Sequence, residues 1–309
     1  MKKYYLFFVL IAMLQSPVFS QITDDKIEKK VREVAKDSVD GWTKGGIMTL
    51  NLAQTALSNW AAGGRNSLAL SGLLSLYAKH KKGDRLWENY LDLGYGLLKE
   101  GKDDFIKTDD RIDFISKYGK KAAKHWYYSA LFNFRTQFTP GYNYPNDSVK
   151  ISDFFAPAYS LVAVGFDYKP DNYLSIFFAP LTYRATIVNS DYLSSIGAFG
   201  VDPGKKLRNE IGGYVRLVYS RKDFKGEFLK NVSFTTKLDL FSNYLVKPQN
   251  VDVSWETLIS MKVNKILSVN LNTHLIYDDN MRTVEYAPGK FGARTQFKEI
   301  FGVGFSAKF

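Results

Sequence analysis

The residue types that carry most enzyme chemistry are few in this chain and scattered. It has 3 histidines and no cysteine, so thiolate nucleophiles, thiolate metal sites and disulfides are excluded. His80 and His125 fall beside clusters of turn residues, whereas His274 lies inside an alternating segment with Ser268, Asn270 and Asn272 on the same parity. A serine, a histidine and an orienting amide or carboxylate are the parts of an acyl-transfer site of the kind an outer-membrane lipase uses. Residues two apart along one strand stand in a row, which suits an interior hydrogen-bond network better than a convergent catalytic site. Gly204-Lys205-Lys206 looks like the end of a phosphate loop, but residue 199 is Phe where a glycine is required, and Lys206 replaces the Ser or Thr that would hold magnesium. Pro203 and Gly204 read instead as a turn. Asp103-Asp104 and Asp109-Asp110 have the oxygens to gather a divalent cation, and are read as solvated loop charge. No set of His, Asp and Glu has metal-ligand spacing. The expectation is a protein with no catalytic residues, no metal and no cofactor.

The charges that do show order fall on a period of two. Glu88, Asp92, Arg111, Asp113, Lys117, Arg135, Asp167, Arg184, Glu210, Arg216, Lys237, Asp239, Glu256 and His274 occupy the parity opposite the large apolar residues of their segments. A strand that is apolar on one face and charged on the other suits a wall between lipid and a wet lumen. About twelve such segments run near 45 to 54, 67 to 80, 85 to 99, 109 to 119, 126 to 138, 158 to 168, 173 to 187, 209 to 220, 231 to 242, 251 to 262, 267 to 277 and 295 to 309. Most are close to the roughly 9 to 11 residues a tilted strand needs to cross a bilayer. Short connections at 81 to 84, 120 to 125, 169 to 172, 221 to 230 and 263 to 266 alternate with long ones at 55 to 66, 100 to 108, 139 to 157, 188 to 208, 243 to 250 and 278 to 294. An outer-membrane barrel sorts its connections this way, with short turns in the periplasm.

These patterns predict an all-β fold, an antiparallel up-and-down transmembrane barrel of about twelve strands with both mature termini periplasmic. A Lys or Arg at mid-strand on the lipid side would cost about 2 to 4 kcal/mol, and none is found there. Glu299 is read as the one acidic residue with lipid parity, near the outer end of its strand. Trp87, Trp126, Tyr128, Tyr168, Tyr173, Tyr183, Tyr219, Trp255 and Tyr277 fall near strand ends on the apolar parity, as aromatic girdles do. The closing strand places Phe301, Val303, Phe305, Ala307 and Phe309 on one face, and a terminal aromatic resembles the signal that outer-membrane assembly machinery reads. Phe301, Val303, Phe305 and Phe309 are therefore the candidate assembly signal.

Ahead of the barrel, Met1-Lys2-Lys3, an apolar run from Tyr4 to Leu14 and a small-residue boundary at Ser20 read as a signal peptide over 1 to 20. A periplasmic leader over 21 to 44 follows, with an amphipathic helix over 24 to 40 that turns Ile27, Val31, Val34 and Ala35 to one side; the barrel takes 45 to 309. The formal charge of +11 becomes +9 once Lys2 and Lys3 leave. In an exported chain with scattered basic residues that charge argues for lipopolysaccharide or an anionic solute, and against nucleic acid.

Asn59-Trp60-Ala61-Ala62-Gly63-Gly64-Arg65-Asn66-Ser67, Asp167-Tyr168-Lys169-Pro170-Asp171-Asn172, Gly197 to Lys206, Asn243-Tyr244 and Pro248-Gln249-Asn250 resemble a Bacteroidetes-type family of outer-membrane barrels known only as a domain of unknown function. The resemblance spans roughly residues 40 to 309. It implies the fold and the membrane, and lends no reaction or ligand.

Twelve strands lie between the about 8 that side chains fill and the about 16 that leave an open channel. Tyr90, Leu98, Tyr127, Leu131, Tyr214, Phe241, Leu258 and Ile276 have lumen parity and predict a narrow pore. The expected function is a narrow channel or transporter for small polar or anionic solutes, lined by Arg111, Lys117, Arg135, Arg184, Arg216 and Lys237 and balanced by Glu88, Asp92, Asp113, Asp239 and Glu256. The alternative is a closed barrel that serves an envelope protein partner through its outer loops and leader, and a lipolytic enzyme is the third class. Outer-membrane lipid, lipopolysaccharide and the assembly machinery are the expected contacts.

Overall fold

The computed structural model describes residues 40–58, 64–144, 146–171, 173–221, 223–226, 229–263, 267–280, 284–287 and 290–308. The signal peptide and nearly all of the leader helix lie outside the described residues, as does Phe309. Asp40 is the first described residue, and its carboxylate accepts from Gly83 N at 3.1 and 3.0 Å.

Sixteen strands appear among the described residues: β1 (Gly41–Thr55), β2 (Ser67–Lys82), β3 (Arg85–Glu100), β4 (Ile106–Lys121), β5 (Trp126–Thr136), β6 (Gly141–Asn143), β7 (Asn146–Ser152), β8 (Ala158–Tyr168), β9 (Leu174–Ile187), β10 (Leu207–Arg221), β11 (Val232–Asn243), β12 (Val251–Lys262), β13 (Leu267–Tyr277), β14 (Val284–Ala287), β15 (Lys290–Gly292) and β16 (Gln296–Lys308). Twelve of them close into an antiparallel barrel in sequence order, while β6–β7 and β14–β15 are hairpins carried by long connections. The alternation of apolar and polar side chains is what forces this: with one face wanting lipid and the other water, a sheet in a bilayer has no stable edge and must close on itself. Strand limits fall within a few residues of those expected from the pattern. The first differs most, since β1 begins at Gly41 and takes over residues assigned to the leader.

Closure is asymmetric. β1 is registered with β2 along its whole length, from Gly41↔Lys81 to Thr55↔Ser67. With β16 its ladder holds, among the described residues, three registered pairs, Ile47↔Lys308, Met48↔Ala307 and Thr49↔Ser306.

The outside is apolar. Leu50, Leu52, Phe132, Val164, Phe178, Leu181, Trp255 and Met261 are all exposed, as lipid-facing side chains must be in a molecule seen without its membrane. Rings gather near the short-turn end, where Trp42 lies 4.9 Å from His80 and 5.8 Å from Trp87, and Trp126 lies 4.7 Å from Tyr168.

Two parity expectations are corrected. Tyr173 was assigned to the lipid side by counting along β9, but the register with β10 jumps from Gly212↔Thr182 to Tyr214↔Ala179. The irregular stretch contains Pro180, which has no N–H to give to a ladder. Counting across it reverses the faces, so Tyr183 is exposed on the outside while Tyr173 lines a cavity at the short-turn mouth. β8 approaches this stretch at Gly165, where a Cβ would stand 2.0 Å from Phe178 O. The second correction is Asp110, which shares lipid parity with Glu299. It lies in β4 rather than in a loop and is not solvated: its side chain is 2% exposed beside Lys107 at 2.9 Å, and it accepts from Phe138 N, Thr139 N and Thr139 Oγ1 at 2.7, 2.9 and 3.0 Å. The chain after β5 folds back over it.

Candidate functional site

The inward side chains of the barrel sort into three levels. Nearest the long connections, Arg184 of β9 donates from Nε and Nη2 to the two oxygens of Glu210 on β10, both at 2.8 Å, and from Nη2 to Asp252 on β12 at 2.6 Å. Its guanidinium lies 4.0 Å from the centre of the Phe241 ring. Arg208 reaches the same Glu210 at 3.1 Å, and Asn243 donates to it at 3.3 Å. The Arg184–Asp252 contact passes over β10 and β11, so it chords the lumen rather than running along the wall.

At mid-height, Arg135 meets Asp113 at 3.1 Å, Arg216 meets Asp239 at 3.6 Å and Lys237 meets Glu256 at 3.4 Å. Tyr214 donates to Asp239, and Asn133 donates to Asp113 at 2.7 Å. The charge of Arg111 on β4 acts on Asp92 and on Glu256 of β12. β4 and β12 stand six strands apart in a ring of twelve, so Arg111 and Glu256 face each other across the barrel. Four cations and four carboxylates share this level, which makes it neutral overall rather than a basic ring. Beside it Leu131, Ala163, Phe177, Ala179, Tyr214 and Phe241 form an apolar cluster along one arc of the wall. Its members Leu131, Tyr214 and Phe241 were expected to narrow the lumen.

At the short-turn level, Lys117 bonds Asp167 at 2.7 Å and lies 3.9 Å from Glu88. Lys169 joins Asp167 at 3.3 Å and Glu88 at 3.7 Å, and Lys79 lies 3.8 Å from Glu88. Ser175 and Tyr90 donate to Asp167 and Glu88 at 2.7 and 3.0 Å. Lys169 sits in the turn after β8. Burial alone would lower its pKa, but Asp167 and Glu88 hold it well above the usual ammonium range.

The structure thus brings Arg111, Arg135, Arg216, Lys237, Asp92, Asp113, Asp239 and Glu256 together, sets Arg184 above them, and separates Lys117 and Glu88 into their own level. Sequence parity missed Lys79, Lys169, Arg208 and Asp252 as partners. Asp252 and Lys79 share the lumen parity of their strands. Lys169 lies outside any strand, so the period of two says nothing of it. His274 Nε2 contacts Ser254 Oγ on the neighbouring strand at 2.9 Å. Among the described residues no group of three or more His, Asp or Glu has a metal-binding arrangement. Phe301, Val303 and Phe305 fall in β16, registered with Leu271, Val269 and Leu267 of β13.

A closed antiparallel barrel with an apolar exterior, a charged interior and short and long connections at opposite ends is an outer-membrane β-barrel. Residues 52–142 match the model of a family described as "Protein of unknown function (DUF3078)", in keeping with the likeness read from the loops. Among solved structures, the translocator domain of autotransporter NalP from Neisseria meningitidis is similar at 11% identity, with a TM-score of 0.38 over 92% of this chain and 94% of that one. No curated protein matches the chain.

Proposed function

We propose that the protein is a narrow outer-membrane channel for small polar or anionic solutes, constricted at mid-height by inward side chains of both charges. The observation that carries this reading is the balanced set of inward charges at mid-height, with Arg111 and Glu256 on strands six apart in the ring, beside an Arg135 side chain that remains 40% exposed. Charges of both signs gathered at one level leave little free bore, while the exposure of Arg135 supports access by water. Such a pore passes ions sparingly, because a solute must share groups already engaged with one another. An even number of strands returns the chain to the side where it entered, which supports both mature termini facing the periplasm beside the short turns. Outer-membrane lipid and lipopolysaccharide surround the wall in this reading, and the assembly machinery inserts it. No catalytic role is assigned to His274 and Ser254.

Planar-bilayer recordings test the proposal. The native barrel is expected to show small conductance steps, and the Arg111→Ser, Glu256→Gln pair larger ones. Current indistinguishable from an empty bilayer in both would overturn it. A second reading, a closed barrel serving an envelope protein partner, is favoured by the order of the outer connections. There α1 (Asp191–Ser195), capped by Ser190, closes a small core of Ala156, Val188, Leu193 and Val201. Silent bilayers together with stable co-purification of one envelope protein would select it.

A further inference from the structure

At the short-turn mouth lies a cavity of about 620 Å³, within the range of small-molecule sites. Lys81, Arg85, Lys121, Lys124 and Lys169 line it. Lys81 and Lys121 carry lumen parity, so the cavity opens on the axis of the barrel. Against these five cations stand Asp84 and Asp171, and one oxygen of Asp171 already accepts from Tyr173 N and Leu174 N at 2.7 and 2.9 Å. Lys169, 8% exposed, forms the floor together with the cluster beneath, where Lys79, Lys117 and Lys169 gather around Glu88 and Asp167. Tyr127, with its ring 5.5 Å from Lys169 Nζ, and Pro170 supply apolar wall.

The imbalance extends to the whole rim. Connections 81–84, 120–125, 169–172, 221–230 and 263–266 hold eleven Lys and Arg against four Asp and Glu, whereas the six long connections hold eleven against ten. The net charge of the barrel is thus concentrated at one end, where it raises the local concentration of anions.

From this geometry we infer that the short-turn mouth is a binding site for a small organic phosphate, its phosphate held among Lys121, Lys124 and Lys169 and its carbon portion against Tyr127 and Pro170. The site stands whether or not the lumen conducts. Its occupant is either a free phosphorylated solute or the headgroup of an anionic phospholipid in the adjacent leaflet, since both present the same phosphate.

The test uses the folded full-length barrel. Calorimetric titration with glycerol 3-phosphate in neutral detergent covers the free solute. Retention of phosphatidylglycerol over phosphatidylcholine through purification, read by mass spectrometry, covers the lipid. The Lys121→Glu, Lys124→Glu pair changes two exposed side chains and is expected to weaken binding roughly tenfold or more, while Lys205→Glu in an outer connection leaves it unchanged. Raising salt is expected to weaken it as well. Saturable glycerol 3-phosphate binding lost in the pair assigns the free solute, and selective phosphatidylglycerol retention lost in the pair assigns the headgroup. Neither ligand held by the native barrel, or equal binding in the Lys121, Lys124 pair, would overturn the inference. Conductance and binding are read separately, so failure of one leaves the other standing.

Discussion

Replacing Arg184 by methionine removes the one cation that holds two carboxylates across the outer level of the lumen. Breaking a buried ion pair from one side costs about 3–5 kcal/mol, because the charge left behind stays desolvated. Two features move Arg184→Met to the low end of that range. Glu210 keeps Arg208 at 3.1 Å and Asn243 at 3.3 Å, and the Asp252 side chain retains 14% exposure to water. Methionine also refills much of the space over Phe241. The expected loss is therefore about 3 kcal/mol, read as a lower midpoint for guanidinium unfolding of the barrel in lipid vesicles, followed by loss of the compact, heat-modifiable band. The double variant Arg184→Met, Asp252→Asn is expected to recover most of this, since it neutralises Asp252 and leaves Glu210 to Arg208. A loss below about 1 kcal/mol in the single variant, or a double variant as unstable as the single one, would refute the reasoning and make Arg184 a packing element.

Three further outcomes are expected. Asp110→Asn removes a carboxylate that accepts from two backbone amides, and should raise hydrogen exchange at Phe138 and Thr139, with a local loss of about 2 kcal/mol; unchanged exchange would mean that the fold-back over Asp110 is held elsewhere. Asp153, which burial alone would shift upward, is held below the usual carboxylate range by Lys150 at 2.6 Å and by Phe154 N. A depressed carboxylate stabilises the folded form above its unfolded pKa and loses that contribution as pH falls through the folded value, so the β6–β7 connection should become more sensitive to an acid-tolerant protease as pH falls below 3.8, and Asp153→Asn should remove the change. Deleting Phe309 should reduce the amount of folded barrel in the outer membrane, and native levels of the heat-modifiable form would remove its role as a signal.

The wall of the barrel was legible because lipid on one side and water on the other impose a strict period of two, and nearly every inward charge followed from it. That same counting failed at Tyr173, where the irregular stretch around Pro180 slips the register by one and exchanges the faces. Asp110 was misread for a related reason: parity gives the direction of a side chain but not whether a later stretch of chain will return to cover it. Pairing across the lumen was also hidden. Adjacent partners such as Arg216 and Asp239 follow from hairpin register, whereas Arg111 and Glu256 lie on opposite walls only because the ring closes at twelve strands. The cavity at the short-turn mouth rests on Lys124 and Lys169 in turns, where no periodicity marks them.

The unequal registers of β1 bear on where the barrel opens. Among the described residues, a strand joined to one neighbour by fifteen residue pairs and to the other by three divides its hydrogen bonds unevenly. The β1–β16 junction is thus the seam at which the ring opens at the least cost in backbone pairing.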